Sequence, residues 1–137
     1  MNATRTMRPR GHSLAIVIFG PSSLGYLRVL KPGYRHCLVA TQSAGNWHLL
    51  DPLSNSTEIT SLGALTPREL IRMFRDCGLD AVAVQRRAPV CRTMPPAPFT
   101  CVEAVKRVLG IRAWHVLTPW QLRRYLERPK RRLSNPR

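Results

Sequence analysis

Apolar positions along this chain recur with two different periods. "SLAIVIFG" (13–20) is an unbroken apolar run, expected to be a buried strand and followed by a loop punctuated as "GPSSLG" (20–25). "YRHCLVATQ" (34–42) and "NWHLLDPL" (46–53) are rich in aromatic and aliphatic residues and are joined by "SAG", which predicts a hairpin. "TEITSLG" (57–63) adds an edge strand, and "LDAVAVQRR" (79–87) alternates as a half-buried one. Three other segments carry the helical period. One runs over 67–77 and stops at Gly78; a second runs from Cys101 to about Gly110; a third carries Trp120, Leu122 and Tyr125. In the second, Val102, Val105, Val108 and Leu109 form one apolar face, which predicts packing against a sheet. The prediction is a small α+β domain, an antiparallel sheet packed against helices, with the proline-rich "APVCRTMPPAPF" (88–99) as an extended connection.

The three helix starts share a signature. Thr66 with Glu69, Thr100 with Glu103, and Thr118 with Gln121 each form a Thr-x-x-Glu/Gln capping box. In such a box the Thr hydroxyl accepts a free backbone N–H, and the Glu or Gln reaches back to the cap. Two of the starts place Pro directly after the Thr, where its fixed φ suits the first turn. The third places Cys101 there.

The hairpin supplies a second chemical feature. With "QSAG" (42–45) as its loop, Thr41 faces Asn46, Ala40 faces Trp47, Leu38 faces Leu49 and His36 faces Asp51. Strand side chains alternate, so Ala40, Trp47, Leu38, Leu49, His36 and Asp51 share one face and a His–Asp pair ends the two strands. A carboxylate beside an imidazole orients the ring and leaves its other nitrogen free to act as a base. Taken singly, His36 reads as a surface histidine and Asp51 as a turn residue in "DPLSN". Their joint placement is what points to chemistry.

A cysteine in the first turn of a helix lies near unpaired N–H groups and the positive end of the helix dipole, which favour thiolate. The same N–H groups can hold the oxyanion of an acyl-transfer intermediate. Cys101 is therefore the candidate nucleophile, with His36 as base and Asp51 as orienting group. The competing reading of Cys101 is a small buried hydrophobe, the reading given to Cys37, Cys77 and Cys91. Cys37 and His48 share the other hairpin face and form a lower-ranked alternative site.

Composition changes this picture in one respect. The 137 residues suit one domain, read as 13–126 between a basic arm (1–12) and a basic tail (127–137). Lys and Arg number 22 against 7 Asp and Glu, a formal charge of +15. That field favours polyanionic partners, nucleic acid among them. The four cysteines show neither CxxC nor zinc-like spacing, so no metal and no cofactor are expected. No secretory signal and no membrane span is recognised; the expected setting is cytoplasmic or virion-associated, with reduced thiols. The "NST" at 55–57 then reads as a polar turn rather than a glycan acceptor.

"RHCLVATQSAGNWHLLDPLS" (35–54) resembles the His-strand, Trp-strand and Asp-Pro segment of transglutaminase-like proteins, within the papain-like cysteine-peptidase superfamily. "FTCVEAVKRVLGI" (99–111) resembles the helix that carries their nucleophile. The order differs, because His36 and Asp51 precede Cys101. Circularly permuted NlpC-type members have that order, and the resemblance, over about residues 30–110, is to them. It implies a permuted papain-like core and a thiol-dependent hydrolase or acyltransferase using Cys101, His36 and Asp51 on a peptide, amide or ester. The alternative from another class is a non-catalytic basic structural or nucleic-acid-associated protein, such as a virion component, on the same fold.

Overall fold

The alternation inside the first apolar run decides the architecture. In the computed structural model, which describes residues 13–21, 31–53, 56–87 and 100–128, strand β1 (Leu14–Gly20) is buried on both faces. Ala15, Val17 and Phe19 enter one core and Ile16 and Ile18 the other. A strand that is apolar on both sides needs a layer above and a layer below.

The sheet has five antiparallel strands in the order β4-β3-β2-β1-β5. They are β2 (His36–Ser43), β3 (Asn46–Pro52), β4 (Thr57–Gly63) and β5 (Asp80–Gln85) besides β1. Helix α1 (Pro67–Asp76) carries the chain from one edge, β4, to the other, β5. Its Leu70 and Phe74 cover the face formed by Ile16, Ile18, Ala40, Trp47 and Ala81. Trp47 is fully buried there, and its indole N–H donates to the Leu65 carbonyl at 2.7 Å, so its one polar atom is satisfied. Helices α2 (Cys101–Leu109) and α3 (Pro119–Glu127) cover the opposite face, where Val102, Val105, Leu109 and Leu122 meet Val17, Phe19, Cys37 and Val39. The α+β class, the antiparallel sheet and the edge position of β4 are as the periodicity predicts.

Three details differ from expectation. The hairpin turns at Ala44–Gly45, not over four residues: Ser43 faces Asn46, Gln42 faces Trp47 and Ala40 faces Leu49. Ala44 and Gly45 both have positive φ, 50° and 80°, the tight turn whose twist suits two paired strands. The register thus moves by two residues, an even number, and Leu38, Ala40, Trp47 and Leu49 still share the α1 face. Second, the Cys37–His48 alternative falls: His48 pairs with Thr41, four residues along the strand from Cys37, or about 13 Å at strand rise. Third, α1 and α3 have complete capping boxes, but the α2 cap is half of one. Thr100 accepts from the Glu103 N–H, while the Glu103 carboxylate turns to an ion pair with Lys106.

The reason for that diversion is a buried lysine. Lys106 keeps 2% of its surface, and its ammonium donates to the carbonyls of Ala113 and Val116, each at 2.9 Å. A buried ammonium needs a counter-charge as well as acceptors, and Glu103 supplies it one turn away. The readings placed on the basic arm, Cys91, the 88–99 connection and nearly all of the tail lie outside the described residues.

Candidate active site

β2 and β3 stop pairing at Val39–Leu50, and the site lies just beyond that pair. Extending the register sets Asp51 opposite Leu38, so His36 meets Asp51 on the diagonal rather than face to face. The His36 Nε2–H donates to Asp51 Oδ1 at 2.7 Å. The pair keeps 20% and 28% side-chain exposure, partly desolvated yet open to a ligand. With Nε2 committed to the carboxylate, Nδ1 is the ring nitrogen left for chemistry.

Cys101 sits at the first position of α2, and α2 packs on β2. The His36 imidazole and the Cys101 thiol lie close enough to shift each other's protonation. The thiol and the backbone N–H of Cys37 act on the Cys101 sulfur as well. His36 and Cys37 are consecutive strand residues whose side chains ordinarily diverge. Both act on the one sulfur from the start of β2, just outside the stretch paired with β3. The structure therefore brings the three sequence-predicted residues together: His36 is hydrogen-bonded to Asp51 and acts on the Cys101 thiol.

The electrostatics follow from these contacts. The Cys101 thiol is lowered to about 5, first by the Cys37 S–H, then by His36 and the Cys37 amide, against a burial that opposes it. His36 is raised to about 9, chiefly by its hydrogen bond to Cys101 and further by Asp51, against desolvation. Near neutral pH the site is a thiolate facing an imidazolium. The Cys37 thiol moves the other way: burial, with the negative sulfur beside it, holds its proton well above the ordinary thiol range. The α2 start adds unpaired donors, because the Thr100 hydroxyl takes the Glu103 N–H and leaves those of Cys101 and Val102, which a helix cannot pair internally.

Sequence reasoning missed the supports. Tyr34, two residues before His36, donates its hydroxyl to Asp80 at 2.9 Å and packs edge-on against Trp120 at 4.7 Å. Arg123 Nε donates to the same Asp80 oxygen at 2.7 Å and pairs with Glu127. Lys31 lies 3.3 Å from the Trp120 ring centre. These contacts tie the segment entering β2, the start of β5 and α3 together at the site's end of the sheet. Strand parity hinted at Cys37, which shares the α2 side of β2, but nothing in the sequence placed its thiol on Cys101.

No group of His, Cys, Asp and Glu suited to a metal ion occurs among the described residues, and no described helix is long and apolar enough to cross a membrane. Comparisons with family models, curated proteins and solved structures find no match to this chain.

Proposed function

We propose that the protein is a thiol-dependent hydrolase or acyltransferase acting on an amide or ester carbonyl. The observation that carries this reading is the Cys101–His36–Asp51 chain, with the thiol low and the imidazole high. The Cys101 thiolate adds to the carbonyl carbon, and the oxyanion formed takes the N–H groups at the α2 start. His36, protonated, gives its proton to the departing amine or alcohol and becomes neutral. It then removes a proton from water or an acceptor nucleophile, which attacks the thioester and releases Cys101. Asp51 holds the ring through Nε2 and stabilises its charged form. The likeness of residues 30–110 to permuted NlpC-type proteins supports the same reading, and a permuted papain-like core is part of the proposal.

A chromogenic acyl ester tests it. The expected result is a burst of released alcohol, with the acyl group found by mass spectrometry on Cys101 and absent from Cys101→Ala. Turnover unchanged in Cys101→Ala sinks the reading. The charge of +15 favours a second reading, contact with a polyanion, which can coexist with catalysis. A salt titration with single-stranded nucleic acid tests that one; no retention at low salt removes it.

A further inference from the structure

The α2 start that carries Cys101 packs on the strand that carries a second thiol. Cys37 is fully buried, it belongs to the core cluster on which Cys101 packs, and it is the first influence on the Cys101 thiol. Acyl transfer has no use for a second sulfur. A thiol is a weak donor, and a serine hydroxyl would serve the thiolate better. What a neighbouring thiol offers, and a hydroxyl does not, is a covalent bond to an oxidised partner.

We propose that Cys37 is a resolving thiol: a hydroperoxide that oxidises Cys101 is followed by closure of a Cys37–Cys101 disulfide, which stores the nucleophile in a recoverable form. The inference rests on the reading of Cys101 as an accessible thiolate.

The two steps balance. The Cys101 thiolate attacks the distal oxygen of the hydroperoxide; sulfur loses two electrons, the O–O bond breaks, and sulfenic acid and an alcohol or water form after protonation. Cys37 sulfur then attacks Cys101 sulfur, the S–O bond breaks, and the hydroxide leaves as water with the Cys37 proton. Accessibility fixes the order. Cys101 is half-buried and open to a small peroxide, whereas Cys37 has no exposed surface. Once Cys101 is a neutral sulfenic acid, the negative sulfur that helped Cys37 hold its proton is gone, and only burial opposes ionisation. Bonding requires the sulfurs to close to about 2.05 Å. Cys37 lies in a strand paired with β1, so the adjustment falls to Cys101, at the first turn of α2. A reducing dithiol reaches the disulfide from the Cys101 side and releases Cys37 as the leaving thiol. Cys77, exposed at the far end of α1 on the other face of the sheet, has no place in this pair.

The test uses the full chain, hydrogen peroxide in small excess, alkylation of remaining thiols, and non-reducing peptide mapping. The expected product is a cross-linked peptide pair joining positions 37 and 101, lighter by about 2 Da, with both thiols restored by dithiothreitol. In Cys37→Ser, Cys101 should instead gain about 32 Da as sulfinic acid and stay blocked after dithiothreitol. Cys37→Ala should behave alike and serves if the serine variant folds poorly. Peroxide-treated wild type with Cys101 oxidised and Cys37 still alkylatable overturns the proposal. Two failures remain distinct: fast alkylation of Cys101 below neutral pH without any cross-link removes the resolving thiol alone, whereas slow alkylation there removes the thiolate and with it the acyl-transfer reading.

Discussion

Helices α1 and α2 begin with nearly the same instruction and reach different ends. At α1, Thr66 and Glu69 complete the box, with Glu69 accepting the Thr66 N–H at 2.8 Å, and Pro67 fills the first turn. At α2 the Thr100 hydroxyl does its half, Glu103 leaves for Lys106, and Cys101 stands where Pro67 would. The first start satisfies its own backbone and closes. The second keeps its donors beside a sulfur and delegates its carboxylate to a buried ammonium. A helix start thus becomes a candidate reactive site through two local changes, one covalent and one electrostatic, with no change in the capping Thr.

The comparison breaks most sharply if the two starts are made alike. Cys101→Pro copies the α1 arrangement into α2; the fold should survive, with circular dichroism unchanged, while acyl transfer falls by about 10⁴-fold or more. His36→Ala should cost about 10³-fold and Asp51→Asn about 10²-fold in kcat/KM, the latter because the ring loses its orienting charge. Wild-type activity should follow a bell in pH. Below about 5 the thiolate takes a proton and attack stops; above about 9 His36 loses its proton and the leaving group departs unassisted. Smaller effects belong to the electrostatic difference. Glu103→Ala strands the Lys106 ammonium and should destabilise the fold by about 3 kcal/mol in urea unfolding. Smallest, Thr100→Ala and Thr118→Ala should each cost about 1 kcal/mol, and the first alone should slow acyl transfer.

Local signals carried most of the architecture. The capping boxes located all three helices, because a cap is written in four consecutive residues. The continuous apolar run of β1 and the alternation of β5 announced strands, but not that they would pair, since that contact spans α1 and three further strands. The hairpin register was off by two because Ala44 takes a positive φ that few alanines adopt, so a two-residue turn was not evident. The His36–Asp51 pairing is kept all the same, because an even shift preserves the face. Lys106 was invisible as a buried residue: it follows the apolar position Val105 and reads as a solvated charge until the loop carbonyls of Ala113 and Val116 meet it. The Cys37 contact was beyond sequence reasoning for a similar reason, since strand and helix lie more than sixty positions apart and no local pattern links them.

The central claim, an activated sulfur at the open helix start, is tested most directly by the rate at which iodoacetamide labels Cys101 across pH, read residue by residue in the folded protein. The account predicts an inflection near 5, rising in His36→Ala and lost on unfolding. An inflection at the ordinary thiol value of about 8.5 in the folded wild type would contradict it.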